Sequence, residues 1–400
     1  MKAVGIVCEY NPFHNGHKRQ IELQRQNGAD CIICIMSGNY TQRGEPAITD
    51  KYLRAEMAIK CGADIVLELP FPCSSLSAEG FARAGVYILD RVGAETLSFG
   101  SECGDTETLT RAADIICRDA FKEIYAELIR GGAASTAAYM QAYEQICGEK
   151  ADFSSNDLLG IAYIQAIRSL GLNIIPEAIK RNGSAYTEKS LDNTLPSATA
   201  LREHISNNGT VGLENFTPSP VIDILASAEK SGKITKSDER LSQIAHSFFR
   251  LHTPEEIVAR ATAKCGGASV LDDGCGLVNR LCEAARAESA EKFFDQALHS
   301  RYTHSRIRRV ILYSLLGVSE AVKDTLPQSV LLLGASQVGC KHLSGIRKNP
   351  KIEIITKPAD LDTSSTYINI AAQADSLYTM LTDSPLPADY FIKRSPYIAM

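Results

Sequence analysis

Two histidines three residues apart, His14 and His17, sit in Glu9-Tyr10-Asn11-Pro12-Phe13-His14-Asn15-Gly16-His17, directly after the short apolar run Val4 to Cys8. The run reads as a first β-strand and the stretch from about Gly16 to Gly28 as a helix. Both imidazoles then face one side at the start of a helix. Backbone N–H groups there lack partners within the helix and favour anions. Gly16 leaves the backbone open to an approaching ligand. Imidazoles beside such N–H groups donate hydrogen bonds to phosphate oxygens, stabilising the charge that grows as an α-phosphate is attacked and pyrophosphate leaves. Nucleotidyl transfer of this kind needs positioning and electrostatics but no covalent nucleophile. The rival readings are two surface histidines, or zinc. For zinc the spacing is one residue short of His-Glu-x-x-His, and no third ligand is evident.

The elements that must position this pair alternate. Strands are expected at Cys31 to Met36, Asp64 to Leu69 and Thr96 to Phe99. Helices are expected at Asp50 to Cys61, Ala78 to Val92, Thr106 to Arg130 and Ser135 to Cys147. Short strands separated by helices imply a parallel sheet covered on both faces, a Rossmann-like α/β domain. Ligands of such sheets bind outside the carboxyl ends of the strands. The polar segments Glu9 to His17, Ser37 to Ala47 and Gly100 to Glu102 each follow a strand end. Ser206 to Thr210, continuing to Pro218-Ser219-Pro220, reads as a loop and divides the chain into an ATP-binding domain, 1–210, and a mainly helical domain, 216–400. The second part carries one clear apolar run, Val330 to Gly334.

With 44% hydrophobic and 22% charged residues, the chain has a globular composition. No apolar run approaches a membrane span, and the first eight residues are too short for a signal peptide, so a cytoplasmic location is expected. The twelve cysteines are scattered among apolar residues and read as buried free thiols. Cys31 and Cys34 have Cys-x-x-Cys spacing, but on a strand residues three apart point to opposite faces. Net charge is −5, yet residues 301–351 hold nine Lys/Arg against Glu320 and Asp324, a surplus of +7 that leaves −12 on the rest. Arg301, Arg306, Arg308 and Arg309 with Tyr302, followed by Lys341, Arg347, Lys348 and Lys351, could contact nucleic-acid phosphates and stack on an unpaired base. The alternative is a solvated helix face. Val270-Leu271-Asp272-Asp273-Gly274-Cys275-Gly276 has the look of a methyltransferase glycine loop, but lacks the third glycine and reads as a loop before a helix at Leu277 to Arg286.

Ser197-Ala198-Thr199-Ala200-Leu201-Arg202 offers two hydroxyls and a guanidinium suited to leaving pyrophosphate. Taken alone, Ser197 is an ordinary helix cap. The long opening motif resembles the HxGH nucleotidyltransferases, and more closely the bacterial tRNA(Met) cytidine acetate ligase family. The match continues through Met36 to Ala47, Glu68-Leu69-Pro70, Phe99-Gly100-Ser101-Glu102, Ser197 to Arg202 and Arg301 to Arg309. The resemblance implies an enzyme that activates acetate with ATP (as its Mg²⁺ complex) and passes the acetyl group to N4 of the wobble cytidine of elongator tRNA(Met). It also implies the nucleotide site: Val7, Cys8, Glu9, Tyr10, Asn11, Pro12, Phe13, His14, Asn15, Gly16, His17, Lys18, Arg19 and Gln20, then Gly100, Asn156 and Arg181. His14 and His17 are the expected catalytic pair, and no metal ligand is expected. Asn156 also reads as a helix cap and Arg181 as a solvated strand end. Ser155 and Asp157 depart from the family's usual Pro and Asn. A plain nucleotidyltransferase acting on a phosphorylated metabolite, and a non-catalytic RNA-binding protein, are the competing readings.

Overall fold

The computed structural model describes residues 1–400 except 134, 151, 182–196, 237, 274–275, 300–301, 349 and 400, and omits the side chain of 135. Gly274, Cys275 and Arg301 of the sequence reading lie outside the described residues. Five strands come from the first half: β1 (Ala3–Cys8), β2 (Cys31–Ser37), β3 (Ile65–Leu69), β4 (Thr96–Ser101) and β5 (Ile175–Lys180). They are joined by α1 (Asn15–Gln26), α2 (Lys51–Lys60), α3 (Ala78–Arg91), α4 (Thr106–Ile116), α5 (Asp119–Arg130), α6 (Ser135–Cys147) and α7 (Ser155–Ser169). After α8 (Ala198–Asn208) the chain is mainly helical: α9 (Ser219–Lys230), α10 (Glu239–Leu251), α11 (Pro254–Cys265), α12 (Gly276–Ala284), α13 (Ala290–Ala297) and α14 (His304–Leu316). Then follow β6 (Ser329–Ala335), α15 (Gln337–Ile346), β7 (Glu353–Ile355), α16 (Thr366–Thr379) and β8 (Tyr397–Ile398).

The strands form one sheet in the order β5-β4-β1-β2-β3-β6-β7, with β8 beside β6. Every pairing is parallel except β3 with β6. β1 is therefore central, and its register (Ile6 opposite Cys34, Cys8 opposite Met36) brings the ends of β1 and β2 level. Helices cover both faces, so β2 is buried along its whole length. Cys31 and Cys34 are fully buried in it. Close packing of α3 requires Gly5, where a Cβ would stand 2.5 Å from Leu89 Cδ2. Among the described residues no helix is long and apolar enough to cross a membrane.

Four expectations change. The helix expected at Thr106 to Arg130 is two, α4 and α5, broken at Cys117-Arg118, because Asp119 restarts the chain after Arg118 turns extended. The helix expected from Gly16 starts one residue earlier. Ser206 to Asn208 belong to α8, which ends only where Gly209 takes a positive φ of 72°. The apolar run at Val330 becomes β6, pairs with β3 and carries the sheet across the 210–216 division.

At the carboxyl ends of β1 and β2 lies Arg54 of α2, fully buried. Its guanidinium donates to the carbonyls of Glu9 (2.6 Å), Ser37 (3.1 Å), Thr49 (3.0 Å) and Gly38. Three of these carbonyls lie where the ladder of β1 and β2 stops and the fourth, of Thr49, precedes α2, all places where backbone acceptors lack a regular partner. Each buried acceptor left unpaired costs about 1–3 kcal/mol. Arg54→Met is expected to lower unfolding free energy by about 3 kcal/mol or more, read by urea denaturation; a loss under ~1 kcal/mol would show that other donors replace the guanidinium.

Candidate nucleotide site

A cleft opens at the carboxyl ends of β1 and β4, against the starts of α1, α3 and α7. Its walls include Val7, Cys8, Glu9, Tyr10, Asn11, His14, His17, Gln20, Gly100, Asn156 and Arg181, with Ser197 at the entry to α8. Pro12, Phe13, Asn15, Gly16, Lys18 and Arg19 do not line it. Phe13 is core, Asn15 holds the 215–216 backbone, Lys18 pairs with Glu22 and Arg19 faces solvent. Gly16 has a reason other than ligand approach: a Cβ there would stand 2.9 Å from the His14 ring.

The two histidines close the helix N-terminus reciprocally. His14 Nδ1 accepts from Gly16 N–H at 3.1 Å, and His17 Nδ1 accepts from the His14 N–H at 3.2 Å. The rings stack with centroids 3.7 Å apart. Because both Nδ1 atoms accept, each neutral ring carries its proton on Nε2. Burial holds the imidazoles neutral: the His14 pKa falls to about 3 through desolvation, with nearby Arg181 adding to it. His17 falls well below its usual value through desolvation, then through His14 and Arg181. Two Nε2–H donors therefore face the cleft with no described partner, and neither carries a charge.

Tyr10 braces the pair from behind, its ring 4.8 Å from both Phe13 and His17. Its φ of 46° turns the chain sharply out of β1. Asn11 fixes the turn by accepting from Ile48 N–H at 2.7 Å through Oδ1. Glu9 accepts from Gln42 N–H at 2.8 Å. Burial raises the Glu9 pKa, and the Gln42 hydrogen bond and Arg202 oppose that rise. Gln20 donates to Ser98.

On the far wall, Arg181 lies against Gly100, where a Cβ would come within 3.2 Å of its Cγ and Cδ. Glu102 Oε1 receives Arg181 Nε at 3.2 Å and Asn156 Nδ2 at 2.7 Å, and Oε2 receives Ser154 Oγ. The cap of α7 is Ser154, so Asn156 is freed from that alternative role. Asp157, in place of the expected Asn, accepts from Ser101 Oγ (2.5 Å), Cys103 N–H (3.0 Å) and Ser154 N–H (3.0 Å), tying α7 to the end of β4.

Two basic groups read from sequence do something else. Arg202 donates to the Asn11 carbonyl at 2.9 Å and pairs with Glu45 at 3.3 Å, so it buttresses the turn that follows β1. Arg308 pairs with Glu45 (3.0 Å) and Asp238 (2.9 Å), Arg309 with Asp272 (3.3 Å), and Arg306 donates to the Asp272 carbonyl. Arg308 and Arg309 answer half-buried acids from distant segments, which no local charge count reveals. Lys341, Arg347, Lys348 and Lys351 are exposed. Gln42 and Arg43 line the cleft and Glu102 stands just behind its wall, roles that the sequence reading gave only to their segments as a whole. Their signal was position: Glu102 follows β4 directly, and Gln42 and Arg43 lie in the loop after β2.

A parallel sheet whose first strand delivers a neutral histidine pair on a helix N-terminus defines a nucleotidyltransferase, and the family model described as HIGH Nucleotidyl Transferase matches residues 1–390. A tRNA(Met) cytidine acetate ligase of Acetivibrio thermocellus is 33% identical, with 96% of each chain covered. One from Thermoanaerobacter sp. is 33% identical over 89% of each. The crystal structure of Thermotoga maritima TmcAL in its apo form matches with a TM-score of 0.89 at 30% identity, covering 100% of this chain and 99% of that one. TmcAL bound with alpha-thio ATP matches at 0.87 and 30% identity, with 100% of both chains covered. The chain belongs to the tRNA(Met) cytidine acetate ligase family.

The depressed His14 pKa fixes a pH dependence. Between about 6.5, the unfolded value, and about 3, the unfolded chain binds a proton that the folded chain refuses, so stability falls as pH falls through this window. The slope attributable to His14 is up to about 1.4 kcal/mol per pH unit. His14→Asn keeps a good helix cap and removes the titration. Urea denaturation at several pH values from 6.5 to 4 is expected to give a shallower decline in the variant; equal declines would mean that His14 titrates normally.

Proposed function

We propose that this cleft binds ATP, as its Mg²⁺ complex, and that the chain is a cytoplasmic ligase acetylating elongator tRNA(Met). The observation that carries the reading is the reciprocal cap, which consumes both Nδ1 atoms and presents two uncharged Nε2–H donors at a helix N-terminus. An acetate oxygen attacks the α-phosphorus, the bond from that phosphorus to the α–β bridging oxygen breaks, and pyrophosphate leaves. His14 and His17 hydrogen-bond the oxygens on which charge accumulates, and Arg181 balances the triphosphate. The N4 amine of the wobble cytidine then attacks the acetyl carbonyl. The carbonyl carbon–oxygen bond breaks, AMP departs with the electron pair, and N4 loses a proton. An exocyclic cytosine amine is too weak a nucleophile for free acetate, which is why activation comes first.

Among the described residues no cluster of three or more His, Cys, Asp or Glu is arranged to hold a metal ion. The Glu9 carboxylate at the cleft and the Glu102 carboxylate behind its wall are engaged by protein donors. In this reading Mg²⁺ enters bound to ATP. For tRNA, the exposed Lys341, Arg347, Lys348 and Lys351 supply a phosphate-contacting surface.

Acetate-dependent exchange of labelled pyrophosphate into ATP tests the first half-reaction. His14→Asn and His17→Ala are each expected to cut exchange by about 10²–10³-fold while the protein stays folded. Exchange independent of acetate would favour a plain nucleotidyltransferase using another substrate. In the second half-reaction, Lys348→Ala with Lys351→Ala is expected to weaken tRNA affinity and flatten its salt dependence, with exchange unchanged. Loss of exchange in that double variant would sink the separation of the two surfaces.

A further inference from the structure

The far wall of the cleft shows an amide whose orientation is decided by a residue outside it. Asn156 Nδ2 is held by Glu102 Oε1 at 2.7 Å, the shortest of that oxygen's two contacts. A carboxylate only accepts, so the NH₂ end of Asn156 must face Glu102. The carbonyl end must then point away from it. Asn156 is half-buried and lines the cleft, and no described donor pairs with its Oδ1. Glu102 is itself fixed on its other side by Ser154 Oγ and Arg181 Nε. Lys180 Nζ meets the Glu102 backbone carbonyl at 2.5 Å, which keeps the residue from swinging out. A free Asn amide can flip to offer either a donor or an acceptor. This one is held with its carbonyl oxygen turned away from Glu102 as an acceptor.

We infer that Glu102 is a positioning residue for nucleoside selection: it locks Asn156 so that Oδ1 accepts a hydrogen bond from a donor group on the bound nucleoside. That donor is a ribose hydroxyl or the adenine 6-amino group, and both share the N–H or O–H that Oδ1 requires. The inference rests on the reading of the cleft as an ATP site. Glu102 also holds Arg181 through Nε, which sets the guanidinium plane against Gly100. One carboxylate thus orients the neutral and the cationic group on the same wall.

The test compares ATP with three analogues that each lack one donor: 2′-deoxyATP, 3′-deoxyATP and purine riboside triphosphate, which has hydrogen in place of the 6-amino group. KM and kcat for each are measured by acetate-dependent pyrophosphate exchange, with affinities from equilibrium dialysis, for wild type, Glu102→Gln, Glu102→Ala and Asn156→Ala. In wild type, one analogue is expected to lose about tenfold in affinity, the value of one well-made hydrogen bond, and its identity names the donor. In Glu102→Ala and Asn156→Ala that difference is expected to shrink below about twofold. Glu102→Gln keeps an acceptor facing Asn156 and is expected to restore most of it. A merely structural role for Glu102 would weaken all four nucleotides alike, and that result overturns the inference. So does a wild type that binds ATP and all three analogues equally. A wild type that binds none of them overturns the ATP reading, and this inference with it. Asn156→Ala leaves the Ser154 cap of α7 intact, so the comparison stands even where Glu102→Ala is unstable.

Discussion

The arrangement depends on one buried cation. Arg54 gathers the carbonyls at the ends of β1 and β2 and at the start of α2, where hydrogen-bonded strands give way to irregular backbone. Desolvation lowers its pKa, though an arginine keeps its charge under any ordinary condition. A lysine would supply one point charge. The planar fork reaches several carbonyls at once. With Glu9 and Gly38 pinned this way, the segment from Tyr10 to Asn15 has little freedom left, and the histidine pair inherits its position from the sheet.

The pair's own chemistry follows from the same economy. A helix N-terminus usually takes its cap from a hydroxyl or carboxylate. Here two imidazoles do that work, and the price is a fixed tautomer. Each ring's acceptor nitrogen is spent inside the protein and its donor nitrogen is left for a ligand. Burial keeps both rings uncharged, so the two donors carry no charge of their own and Arg181 is the nearby positive group.

The second half of the chain is built into the site from behind. Glu45 joins Arg202, which holds the Asn11 carbonyl, to Arg308 on α14. Gly44, with a φ of 74°, lets the turn lie against α14, since a Cβ would stand 2.8 Å from the Arg309 nitrogen. Lys51 bridges Glu68 of β3 and Asp375 of α16 in another buried cluster. Burial raises the Glu68 pKa to about 6, against the pull of Lys51. β6 completes the connection by pairing with β3. α14, α16 and β6 of the second half are thus mechanically continuous with the sheet and with the turn that follows β1.

The alternation of apolar runs and helical stretches was enough to give the parallel sheet, because strand and helix periodicities are local properties of the chain. The His14–His17 spacing was likewise enough to put both rings on one helix start. Boundaries were less legible where a polar break is short, as at Cys117-Arg118, or where Gly209 ends a helix later than composition suggests. Only the tertiary structure decided which cations stay available. Arg202, Arg308 and Arg309 read as ligand contacts until their acids arrive from segments 37 to 263 residues away, whereas Glu102, legible in sequence only as part of a polar strand end, becomes the group that orients Asn156 and Arg181. Charge in a sequence is additive, but its partner is set by the fold.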